Sequence, residues 1–149
     1  MPSDWHAVAA LLEANQLPLE GAQAHLSNYL LAIDGSEVVG IAGAEVHGEI
    51  ALLRSLAVAP SARCRGVGKL LVTRLLEEAR RRRITEVYLL TLSAPAYFAR
   101  YGFKHVSRNS TPEPLKASAE FQGACPASAA LMSLPLSEPP AVARTAGGA

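Results

Sequence analysis

A chain of 149 residues, half of them hydrophobic, is long enough for one packed domain with its own core. Its 14 Lys and Arg nearly cancel 13 Asp and Glu, which excludes the bulk field that draws nucleic acid or an anionic membrane. Two cysteines exclude a disulfide framework, no apolar run reaches the roughly 18 residues of a spanning helix, and no Cys/His set has metal-ligand spacing, so a cytoplasmic, metal-free protein is expected.

In chain order, Ser3 or Asp4 caps an amphipathic helix in which Trp5, Val8, Leu11 and Leu12 fall three or four apart, reaching about Asn15 before Pro18 ends it. Residues 19–26 read as either a loop or a short helix. Strands follow over Tyr29 to Ile33, Glu37 to Val46 and Ile50 to Val58, joined by turns at Asp34-Gly35 and His47-Gly48-Glu49, an antiparallel meander. A helix is predicted from Val67 to about Arg82, with Leu71, Leu75 and Ala79 on its apolar face. It leads to a strand over Glu86 to Thr91, which a helical crossover makes parallel to the third. A short helix from Ala94 to Arg100 stops at Gly102, and a brief strand spans Lys104 to Ser107. Leu115 to Phe121 reads as a helix and Ser128 to Leu134 as the last strand. One domain over residues 1–134 is expected, with 135–149, rich in Pro, Ala and Gly, as a disordered tail.

Arg63-Cys64-Arg65-Gly66-Val67-Gly68 is the stretch with chemistry in it. Two glycines permit close backbone approach, the helix start offers unpaired N–H groups, and Arg63, Arg65 and Lys69 supply positive charge, together an oligophosphate cradle. Neither the dinucleotide fingerprint nor the Walker loop has this spacing. Strand parity adds two charges on apolar faces: Glu45 with Val39 and Ile41, and Arg54 with Leu52, Leu56 and Val58. They either line a cleft or neutralise each other. His6, His25, His47 and His105 are scattered and read as surface, and the Arg80 to Arg83 run reads as a solvated helix end.

With that element order, the chain resembles the GNAT superfamily of acetyl-CoA-dependent N-acetyltransferases over about residues 4–134. Arg63, Gly66 and Gly68 match its pyrophosphate signature, Leu56 to Pro60 its preceding strand and proline, and Tyr97 to Phe103 the helix ending in Gly-Phe. The resemblance implies an α+β fold with a mixed, mostly antiparallel central sheet and helices on both faces. The family begins with a strand before the first helix, and this sequence starts at the helix cap, so either the start is placed too late or Tyr29 to Ile33 is expected as an exposed edge.

It also implies roles. The backbone of Leu56, Ala57 and Val58 holds the pantetheine arm and polarises the thioester. The amides of Arg65, Gly66, Val67, Gly68 and Lys69 bind the diphosphate, with Arg63 and Arg65 as charge partners and Cys64 as a passive backbone donor. Ser93 touches the cofactor from the other side. The position of the usual general-acid tyrosine is Phe98, which cannot give a proton and is expected at the cofactor; of the flanking Tyr97 and Tyr101, Tyr97 is the candidate acid or else a core or CoA-stacking aromatic, and the thiolate can otherwise leave to solvent. Glu45 is the candidate base, Arg54 the partner of an acceptor carboxylate, and Ser55 and Thr91 further acceptor contacts.

A narrower resemblance, to small acetyltransferases associated with arsenic-resistance operons, rests on Ala51 to Val58, Tyr88 to Thr91, and Phe121 with Cys125 to Ser128. The Leu-Thr segment and the Phe-containing helix are also similar to glutamate N-acetyltransferases. Both imply a small amino-acid-like amine as partner, a glutamate-like amino acid or a toxic analogue, with no nucleic acid or membrane and a homodimer left open. A protein or peptide N-acetyltransferase and a CoA-binding module with little turnover are the alternatives.

Overall fold

The computed structural model describes residues 5–62, 65–92, 94–118, 120–124 and 128–136. The expected cap at Ser3 or Asp4, the Cys125-Pro126 corner and all but two residues of the expected tail lie outside them. Six strands form one sheet: β1 (Leu30–Asp34), β2 (Glu37–His47), β3 (Ile50–Val58), β4 (Glu86–Thr91), β5 (Lys104–Val106) and β6 (Ala130–Pro135). Their spatial order is β1-β2-β3-β4-β6-β5, and every neighbouring pair is antiparallel except β3 with β4. The mixed, mostly antiparallel α+β sheet expected from the sequence is therefore present, with β1 as an outer strand. Leu136, just past β6, is buried and its N–H bonds to the Thr85 carbonyl, so packing continues two residues beyond 134.

Three helices cover the sheet: α1 (Trp5–Ala14), α2 (Val67–Arg81) and α3 (Pro95–Ala99). The apolar stripe of α2 packs Val72, Leu75, Leu76 and Ala79 against Ala51, Leu53 and Val87, and Phe98 of α3 joins that cluster. Across the sheet, Val8, Leu11 and Leu12 of α1 meet Ile41 and Ala57, while Leu115 and Leu131 pack on Leu52. The arginine run is solvated as expected: Arg81 pairs with Glu78, and Arg82 donates to Asn28 at 3.0 Å. No described helix is long and apolar enough to cross a membrane.

Two expectations change. The helix expected over Leu115 to Phe121 is instead a 3-10 turn (Glu113–Ala117) and a π turn (Glu120–Ala124), broken at Ser118. Ser118 is extended and its hydroxyl accepts the Glu120 N–H, a local bond that competes with a continuous helix. The second change is a bulge in β3. Ile41 faces Ala57 but Gly43 faces Arg54, so three steps along β3 answer two along β2. The extra residue is at Ser55, whose φ is +63°. Side-chain parity flips there: Arg54 and Leu52 point to the α1 side, whereas Leu56 packs with the α2 cluster, so Arg54 does not share a face with Leu56 and Val58.

Tyr29 holds the bulge from one side. Its hydroxyl is 2.6 Å from the Ser55 hydroxyl, and its ring lies so close over Gly43 that a Cβ there would be 2.2 Å from it. Gly43→Ala should therefore displace Tyr29 and destabilise the fold by about 1–3 kcal/mol, seen as a Tm lower by roughly 3–10 °C. An unchanged Tm would show that the ring yields freely.

Candidate active site

β3 and β4 pair only at Ile50–Glu86, Ala51–Val87 and Leu52–Tyr88. Beyond Leu52, β4 stays with β6 as far as Thr91 while β3 stays with β2, and the two part. Two open clefts lie along the gap. One, of about 780 Å³, is lined by Ala57, Val58, Gly66, Gly68, Lys69 and Arg100 among others. The second, of about 750 Å³, is lined by Arg54, Ser55, Thr91, Phe98, Glu120 and their neighbours. Asn15, Leu56 and Tyr97 line both, so the clefts meet there.

The larger cleft ends at the N-terminus of α2. Gly66 caps the helix at φ +77°, left-handed backbone that suits glycine, and the space where a Cβ would stand is open. The helical ladder begins with Leu70 N–H bonding to the Gly66 carbonyl, so the amides of Gly68 and Lys69 precede it, beside the helix's positive end. Gly68 has a second constraint: a Cβ would come within 2.9 Å of the Tyr97 hydroxyl. Lys69 is exposed beside the cleft, and Arg65 is exposed with Asp34 3.8 Å away. Arg63, Cys64 and Ser93 lie outside the described residues.

At the junction the Tyr97 and Tyr101 hydroxyls are 2.8 Å apart. Burial pushes the Tyr101 phenol well above its ordinary range, and its bond to Tyr97 pushes the same way. Phe98, expected at the cofactor, is buried against Phe103 with ring centres 6.0 Å apart and lines the smaller cleft, not the one that ends at the cradle. Thr91 lines that cleft too, but its hydroxyl accepts the Ala94 N–H and so also caps the entry to α3.

The floor of the smaller cleft is a buried ionic network. Arg54, 3% exposed, donates to Glu45 at 2.7 Å, Ser55 at 3.1 Å and the Pro18 carbonyl at 3.3 Å, and its Nε is 3.3 Å from Glu120. His47 and His25 approach the other Glu45 oxygen at 3.1 and 3.8 Å, so two histidines read as scattered surface converge on one carboxylate. Burial alone would raise the Glu45 carboxyl, but bonds from Arg54, His47 and Ser118 outweigh it and hold it below the ordinary carboxylate range. That is the mutual neutralisation offered as the alternative reading of the sequence. A carboxylate so held is a poor proton acceptor, and a guanidinium so engaged is a poor partner for an incoming carboxylate. Glu120 and Asn15 were not singled out in the sequence; a glutamate just past a serine in an apparent helix carries no signal that it turns inward.

Residues 4–103 match the model of the acetyltransferase (GNAT) family. The chain belongs to that family. An uncharacterised N-acetyltransferase of Chlorobaculum tepidum is 28% identical over 92 residues, 61% of this chain and 59% of that protein, so the chain spans well under two thirds of that GNAT relative. Among solved structures, N-acetylglutamate synthase from Neisseria gonorrhoeae, complexed with coenzyme A and N-acetyl-glutamate, superposes with a TM-score of 0.77 at 23% identity over 91% of this chain and 33% of that one. Rv2747 from Mycobacterium tuberculosis, in complex with CoA and NLQ, gives 0.75 at 23% identity over 92% and 96%. The ribosomal-protein-S18-alanine N-acetyltransferase from Escherichia coli gives 0.59 at 22% over 89% and 90%. These share the GNAT fold, and the acyltransferase class and acetyl-CoA donor expected from the sequence agree with the family.

Because the Glu45 carboxyl is held low in the fold, its contribution is complete above its ordinary pKa of 4.5 and is lost as pH falls through the lower folded value. Denaturant midpoints should drop below about pH 4.5 in the wild type. Glu45→Gln should cost about 1.5–3 kcal/mol at pH 7 and flatten that acid limb, whereas parallel curves would remove Glu45 from the network's energetics.

Proposed function

We propose that the protein transfers the acetyl group of acetyl-CoA to the primary amine of a small, amino-acid-like acceptor by direct attack within a ternary complex. The observation that carries this is the meeting of the two clefts at Leu56 and Tyr97, beside the gap between β3 and β4. One cleft offers the diphosphate cradle and the other an open pocket with a buried ionic floor, so donor and acceptor are brought together at one point.

The residues present fit the donor. The open face at Gly66, the leading amides of α2 and the side chains of Lys69 and Arg65 suit a diphosphate, and the backbone of Leu56 to Val58, beyond the last β3–β4 pair at Leu52, suits the pantetheine arm. Acetyl-CoA supplies an activated acetyl group. The amine nitrogen bonds to the acetyl carbon, and the carbon–sulfur bond breaks with its electrons on sulfur. Of the two protons the acceptor ammonium gives up, one goes to solvent and one balances the CoA thiol. Tyr97, at the junction, hands the proton to sulfur. Glu45 and Arg54 form the floor that shapes the acceptor pocket and take no proton.

The pocket's size and the enclosing residues Pro18, Leu90 and Glu120 suit a small acceptor better than an extended peptide. The higher TM-score with N-acetylglutamate synthase than with the ribosomal-protein enzyme supports the same choice. A glutamate-like amino acid or toxic analogue, acetylated in the cytoplasm, is the acceptor class we favour, and the arsenic-resistance resemblance is its second support.

Free-CoA release over glutamate, glutamate analogues, other amino acids, polyamines and peptides should be greatest for a single amino acid or analogue. Preference for peptides would overturn the acceptor class, and acetyl-CoA binding without release on any amine would leave a CoA-binding module. Gly66→Val, which forces a β-branched residue to φ +77°, should abolish thermal stabilisation by acetyl-CoA; retained stabilisation would remove the cradle from the donor site.

A further inference from the structure

We infer that Tyr101 is a positioning residue for Tyr97: its hydroxyl donates to the Tyr97 oxygen, aims the Tyr97 proton at the clefts' junction and stabilises the phenolate left once that proton has gone. The inference rests on Tyr97 as the acid of the acetyl-transfer reading, and it explains how a site with phenylalanine at position 98 keeps a tyrosine acid.

Three observations carry it. The two oxygens are 2.8 Å apart, and the rings meet edge to face with centres 5.4 Å apart, so the contact is a fixed pair. Tyr97 lines both clefts whereas Tyr101 lines only the larger, so of the two it is Tyr97 that reaches the junction. On the larger cleft the charged groups beside the pair are cations: the Arg100 guanidinium is 5.9 Å from the Tyr97 ring centre and Lys69 lines the same cleft, while Glu120 lines only the smaller cleft, where it faces Arg54. Cations favour the anion that proton donation leaves behind.

Either hydroxyl of the pair can donate. With Tyr101 as the donor, the arrangement inferred here, the Tyr97 hydrogen is free to turn toward the cleft. In the transfer step the Tyr97 O–H bond breaks and an S–H bond forms on the departing CoA sulfur. The Tyr101 O–H stays intact throughout, and Tyr97 regains a proton from solvent. Phe98 contributes only packing, with its ring edge-on to Tyr97 at 5.2 Å.

Tyr101→Phe deletes the donor and keeps the ring, so a merely structural residue would leave chemistry unchanged. With the amine that releases most CoA, kcat should fall about tenfold while KM for both substrates stays within about threefold. The Cζ resonance of ring-labelled Tyr97, read at neutral pH without acetyl-CoA, gives a readout independent of turnover and should shift in Tyr101→Phe as the hydrogen-bond partner is lost. An unchanged kcat or an unmoved Tyr97 resonance in Tyr101→Phe, with Tyr97→Phe still impaired, overturns this inference alone. Full activity in Tyr97→Phe overturns both the acid assignment and the inference that rests on it.

Discussion

β3 bonds both of its neighbours at Ile50 to Leu52 but only β2 beyond, and the candidate active site lies where it parts from β4. It follows β2 along its whole length, bulge included, and keeps β4 for only three pairs. Past Leu52 its β4-facing backbone has left the β3–β4 ladder, and peptide groups in a protein interior are costly unless something meets them. In the proposed reading a pantetheine arm, itself built with amides, lies along that edge. The bulge at Ser55 sharpens the departure by kinking the strand, and Tyr29 pins the bulge through its hydroxyl.

The same bulge bounds the charges. Arg54 lies just before it on the α1 side with Glu45, Leu56 just after it turns to the α2 side, and the C-terminal turn delivers Glu120 to the Arg54 guanidinium. Ions this deeply buried seldom add net stability over apolar residues of the same shape, but removing one partner leaves the others exposed to the full cost of burial. A network of this kind fixes the geometry of a pocket floor. It also connects the segment after α1, through the Pro18 carbonyl, to β3.

How much of this was legible in the sequence depends on the physics behind each feature. β3 and β4 are aliphatic runs bounded by turn residues, and their limits were readable residue for residue. The cradle was readable because Gly66 and Gly68 do what other residues cannot at a left-handed turn and at a close approach to Tyr97. Parity worked outward from the His47 turn as far as Arg54, which is why Glu45 and Arg54 were correctly seen as charges on apolar faces. It failed one residue later, because Ser55 bears no mark of its positive φ and a single inserted residue reverses every later side chain. Glu120 and the tyrosine pair depend on contacts between segments far apart in the chain, or on ring orientation, and neither is written in local pattern.

The central claim is that the donor lies across the gap of β3 and ends on the first turn of α2. Backbone amide shifts of the isotope-labelled protein, followed by NMR as acetyl-CoA is added, test it most directly. The largest changes should fall on Leu56 to Val58 and on Gly66 to Lys69, with Tyr97 between them. Changes confined to the separate cavity under α2, at Leu53, Leu75 and Val87, with both of those stretches unmoved, would contradict it.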